Sequence, residues 1–261
     1  MKNFRVWLLF TKLKLKKMWL FKANLISQTI GMMFNNLAFL GIWWLLLQRF
    51  GTINGYSFRE IILIQGYVMV VYAFFYLLFA GTTKLSDYIN QDRFLDLQLY
   101  PVNPLAVLLT KSGSASQFGD FIEGSILMIY YCATDPGKTF TLLSALIITV
   151  VGMTGVSLFF NSLILYVRNM NDGLTQLVDN AYIGATMYPS QTYSPTVKMI
   201  MMMLLVIPLV STPLESARGM IHPSFMIGSA IVAILINVLG YFLWQNGVKR
   251  VESGSSGGVV E

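Results

Sequence analysis

Long uncharged apolar runs alternate along this chain with short segments that hold nearly all of its charges. Leu25 to Leu47 passes without a charged residue, enough for about 34 Å of helix at 1.5 Å per residue, against a hydrocarbon core of about 30 Å. Ile61–Ala80, Phe140–Val167 and Phe225–Trp244 repeat the pattern. Two further runs are weaker. Ser116–Ala133 carries Asp120 and Glu123 near its start, and Val197–Val210 is interrupted by Pro208, with Pro213 close behind. Runs without a polar face predict helices solvated by lipid. All six together predict an all-α, polytopic membrane protein with six transmembrane helices.

The placement of charge supports that count. With six spans and the N-terminus inside, segments 1–24, 81–117, 168–198 and 245–261 face the cytoplasm. They hold fourteen of the eighteen Lys and Arg residues, and only Arg49, Arg59, Lys138 and Arg218 fall outside. That asymmetry follows the positive-inside rule. Composition agrees: 55% of residues are apolar and 11% charged, where soluble domains carry about 25% charged residues. The net charge of +6 does not point to nucleic acid, because seven of the basic residues crowd into the first 22 positions beside a hydrophobic run. That placement suits contact with anionic membrane lipid. Phe4, Trp7, Leu8, Phe10, Trp19 and Phe21 alternate with those lysines, which predicts an interfacial helix over 1–24. Residues 25–247 form the transmembrane domain, and 248–261, containing SGSSGG, reads as a flexible cytoplasmic tail.

Chemistry is sparse. Pro136-Gly-Lys-Thr139 imitates the end of a phosphate-binding loop, but Cys132 stands where that loop needs its first glycine. The single cysteine excludes an intrachain disulfide. His222 is the only histidine and has no catalytic context, and no carboxylate cluster offers a metal cage. The expectation is therefore a chain that is not an enzyme and binds no cofactor.

Two groups of residues stand out. In the 81–117 loop, Leu85, Ile89, Leu95 and Leu99 are set against Asp87, Asp92, Arg93 and Asp96, and Pro101 and Pro104 end the pattern. This predicts one amphipathic helix or two short ones. Within the spans, Gln28, Asn35, Asn36, Gln65, Tyr72 and Asn161 are polar groups in an apolar setting, so each is a candidate for a substrate path. The alternative is helix–helix hydrogen bonding. Asp120 and Glu123, one turn apart, are placed either to attract a cation or to pair with a basic neighbour.

The run Ile89–Leu105, with its Tyr100-Pro-Val-Asn-Pro-Leu105 ending, resembles the loop after the second span in type-2 ATP-binding-cassette export permeases, in particular a six-span bacterial subgroup. Tyr188-Pro, Ile207-Pro and the closing Lys249-Arg-Val-Glu-Ser-Gly254 are similar to further motifs of that subgroup in the same order. The resemblance implies a permease in the bacterial cytoplasmic membrane, with both termini cytoplasmic. It would pair with itself or a sister chain and be joined to cytosolic ATPases, which bind the ATP and Mg. It also implies a coupling helix over 84–99, with Asp87, Asp92, Arg93, Asp96, Tyr100 and Pro101 at the ATPase contact. An N-terminal elbow helix and short re-entrant outer helices over Pro213–Pro223 complete the implied plan. The rival readings are an ion-coupled secondary transporter and a non-transporting membrane module such as an immunity or sensor protein.

Overall fold

The computed structural model of the protein describes residues 2–53, 55–91, 93–166, 178, 180, 182 and 188–255, with side chains from 3 to 250. Among these residues the only β pairing is a single bridge between Ile53 and Tyr56. The apolar runs become α2 (Lys22–Phe50), α3 (Phe58–Leu78), α8 (Thr139–Ser162) and α11 (Ser224–Ser255), preceded by α1 (Lys2–Leu20). Four helical stretches, 22–50, 58–78, 136–165 and 224–250, are long and apolar enough to cross a membrane.

Between α3 and α8 the chain forms α4 (Leu85–Asn90), α5 (Phe94–Gln98), α6 (Pro104–Leu108) and α7 (Gln117–Thr134). α7, which carries Asp120 and Glu123, runs antiparallel along α3. A Cβ on Gly124 would stand 2.8 Å from the Gly66 carbonyl oxygen and 2.7 Å from Met69 Cβ. Only glycine permits that approach, and small residues commonly set such membrane contacts. Almost every position of α3 from Ile61 to Ala73 is buried, so α3 is the axis of the bundle.

The bundle has two distinct ends. At the far end, Ser57 and Glu60 form a capping box at the start of α3, and Arg59 donates to Thr134 at the end of α7 at 2.7 Å. The near end gathers α1, α4, α5 and α6. The last turn of α3 leaves carbonyls without intrahelical donors. α1 supplies them: Trp7 Nε1 donates to Leu78 O at 3.1 Å, and Lys14 Nζ to Leu77 O at 2.5 Å.

The weak Val197–Val210 run is not one straight helix. α9 (Pro195–Met203) and α10 (Thr212–Ala217), joined by a π-helical turn over Ile207–Ser211, are bent by 80°. Ser190 and Gln191, before α9, both donate to the Glu215 carboxylate in α10, Gln191 at 3.1 Å. The segment thus begins and ends at the far end, and Leu209, on the limb returning from the bend at Leu205, meets Thr149 about 15 Å along α8. Re-entrance therefore covers 195–217 rather than starting at Pro213, and Lys198, counted above with the inside charges, belongs to this far-end segment. Tyr166 lies at the near end, bonded to Leu243 O at 2.9 Å, whereas Tyr188 packs at the far end on Trp43. α11 also continues to Ser255, past the boundary expected at 247.

Candidate functional site

The near-end loop is two short helices seated on the bundle. Phe94 and Leu97 of α5 and Leu85 of α4 are buried with Leu105, Leu108, Leu158 of α8 and Trp244 of α11 in one cluster. Thr82 and Ser157 share a hydrogen bond of 2.7 Å, tying the turn that follows α3 to α8. α4 and α5 thereby share packed side chains with α8 and α11.

The phase of α5 differs from the expectation. Leu95 and Leu99 do not pack inward with Leu85. They stand 54% and 82% exposed, while Phe94 and Leu97 take the buried side. One residue of phase turns a helix by about 100°, and the leucine count alone did not fix it. The exposed face thus carries two leucines beside charges: Asp87 pairs with Lys84 at 3.3 Å, and Arg93 with Asp96 at 3.1 Å while lying over the Tyr88 ring. Tyr100 packs edge-on against Phe10 of α1, and Pro101 is exposed beside it. Asp92 lies outside the described residues.

The polar candidates within the spans separate into distinct places. Asn36 of α2 and Asp120 of α7 come together, with Asn36 Nδ2 donating to Asp120 Oδ1 at 2.8 Å, both buried. Glu123 is buried one turn further along α7, and neither of its carboxylate oxygens makes a hydrogen bond among the described residues. Asn35, the neighbour of Asn36, faces outward, and Gln28 bonds Asn24 on its own helix at 2.9 Å. Gln65 and Tyr72 are buried on α3, Tyr72 stacked on Tyr76. Asn161 donates to Ser157 O one turn back on its own helix at 2.7 Å, close to the near end. So Asn36, Asp120 and Glu123 come together inside the bundle, while Gln28 and Asn35 face away from them.

A further constellation escaped the sequence. Arg218, read as an outer loop charge, is buried and pairs with Glu60 at 2.5 Å, its guanidinium over the Tyr56 ring at 4.9 Å. Tyr56 in turn donates to Gln191. The far end of α3 is thereby latched to both limbs of the re-entrant segment. The two charges are 158 residues apart, and no local pattern announces such a pair. Among the described residues no three His, Cys, Asp or Glu side chains gather into a metal site.

Comparison with curated proteins finds no match, and comparison with solved structures finds none. The family model described as ABC-2 family transporter protein matches residues 31–255, which takes in the spanning helices, the seated α4–α5 loop and the re-entrant segment together. The chain belongs to the ABC-2 family of transporter proteins, as a multi-pass membrane component of an ATP-binding-cassette transporter.

Proposed function

We propose that this chain is the permease half of an ATP-binding-cassette exporter of a bacterial cytoplasmic membrane. It crosses six times with both termini cytoplasmic, and it pairs with a second permease and with cytosolic ATPases that bind ATP and Mg. The observation that carries this reading is the near-end loop: α4 and α5 are anchored by a buried apolar cluster yet present Leu95, Leu99, Asp87, Arg93 and Asp96 to solvent. A docking face that is rigid behind and both apolar and charged in front suits a partner that delivers movement. Basic residues crowd the same end, which supports its cytoplasmic placement.

The four long apolar helices α2, α3, α8 and α11, the antiparallel α7 beside α3, and the opposite placement of Tyr166 and Tyr188 support the count of six. α1 takes the place of an elbow helix beside the first span. ATP binding in the partner would favour one arrangement of α4–α5 over another, and the spans would follow through the contacts they share with it. The Asn36–Asp120–Glu123 group, inside the bundle, is the place for a polar or cationic part of the cargo to be met.

Charge reversal tests this directly. Asp96→Lys breaks the Arg93 pair on the exposed face and touches none of the buried cluster. The variant is expected to reach the membrane at the wild-type level and to lose ATP-driven efflux; undiminished efflux counts against α4–α5 as the coupling contact.

A further inference from the structure

A groove of about 580 Å³ opens where α1 passes the start of α2 and the 110–115 loop. Lys14, Lys17 and Lys111 border it, and no Asp or Glu is among its lining residues. Among the described residues none of these lysines lies within ion-pair distance of a carboxylate. Lys14 Nζ instead bridges two neutral oxygens, Leu77 O and Ser112 O at 2.8 Å. Lys111 lies 5.7 Å from the centroids of both the Phe10 and Tyr100 rings.

Leu13, Met18 and Phe21 form an apolar wall, and Asn24, Gln28 and Ser114 add neutral hydrogen-bonding groups. Beyond it α2 displays Ile26 and Ile30 outward along the start of a spanning segment. The loop is built to come this close: Gly113 has φ +119°, and a Cβ there would stand 3.4 Å from Lys14 Nζ. One face of the groove therefore offers cations without counter-charges, and the other leads to hydrocarbon depth.

We propose that this groove binds the phosphate-bearing headgroup of an anionic phospholipid, with its acyl chains laid along α2. Lysine acts toward phosphate as a compact point charge, and its methylene stem lies comfortably on apolar surface. A freely soluble phosphate would leave the apolar wall unused, and a neutral headgroup would leave three cations without a counter-charge. Burial already pushes the Lys14 ammonium down to about 8, and an anion beside it supplies the stabilisation that its carbonyl partners do not. The bound lipid fastens α1 to the first span at the end where α4–α5 project.

Native mass spectrometry of the delipidated, full-length protein tests the site, titrating phosphatidylglycerol against phosphatidylcholine. The wild type is expected to prefer phosphatidylglycerol by about tenfold, on the scale of interaction of each interfacial lysine with an anionic surface. Lys17→Ala with Lys111→Ala abolishes that preference, and Lys17→Arg with Lys111→Arg keeps it. Lys198→Ala with Lys249→Ala removes as much charge away from the groove and leaves the preference intact. Equal retention of both lipids, or equal loss in the second alanine pair, overturns the proposal. So does displacement of the lipid by glycerol 3-phosphate as effective as that by phosphatidylglycerol, which would make the occupant a soluble phosphate. The readout involves neither an ATPase nor cargo, so it stands apart from the transport reading.

Discussion

Two prolines in the re-entrant segment show how single residues decide what the bundle tolerates. Pro208 has no N–H to offer the carbonyl of Leu204, and Pro213 has none for Leu209. Both oxygens are met by side chains from other parts of the chain, Tyr182 donating to Leu204 O at 3.0 Å and Thr149 to Leu209 O at 2.8 Å. Broken helices persist at membrane depth when neighbours satisfy the freed backbone in this way. Leu205, with φ +60°, takes the left-handed conformation at the bend itself, a strained one for a branched side chain. Thr149→Val strands Leu209 O and takes the partner from Tyr67. It is expected to lower stability by about 1–2 kcal/mol, read as reduced resistance to denaturation in detergent. Ser144→Ala, which removes only a bond to its own helix at Phe140 O, should change little.

Lys14 gives a second prediction at this scale. Desolvation lowers its pKa from 10.5 to about 8, so between those values the folded protein binds fewer protons than the unfolded chain. Stability then rises with pH across about 8 to 10.5, and Lys14→Met removes that rise. Unfolding of lipid-free protein in neutral detergent measures both slopes.

At the scale of elements, the close approach of α3 and α7 decides the packing. Gly124→Ala places a methyl 2.7 Å from Met69 Cβ and is expected to lower the melting temperature. Gly41→Ala, which meets nothing within 4 Å on α2, should be neutral or mildly stabilising. Four strong spans were legible because hydrophobic length is a local property: Leu25–Leu47 and Phe225–Trp244 sit inside α2 and α11. The 195–217 segment was not legible, since a dip and a span share the same composition and differ only in where the two ends are fastened, here by Ser190 and Gln191 on Glu215. Among the polar candidates, residue type was readable and rotational position was not. Asn36 turns inward to Asp120 while Asn35 faces away, and the pairing joins positions 84 apart. The Glu60–Arg218 latch was hidden for the same reason.

For the whole molecule, the two ends form the central contrast. The far end is closed by Glu60, Arg218, Tyr56, Gln191 and Glu215 in one network, and the near end is an anchored platform with an exposed mixed face. A transporter driven from the near end has to loosen the far one, so Glu60→Gln with Arg218→Met should raise leakage of a small fluorescent solute through reconstituted vesicles. Unchanged leakage would show that this network does not hold the far end shut.

The most direct measurement is isolation of the chain from native membranes in mild detergent, with identification of what accompanies it. The account predicts a stoichiometric cytosolic ATPase with the wild type. That partner is lost from a Leu95→Lys, Asp96→Lys variant whose spans still reside in the membrane. A preparation with no ATPase, or one in which the variant retains it fully, would contradict the reading of α4–α5 as the point where ATP-driven movement enters the permease.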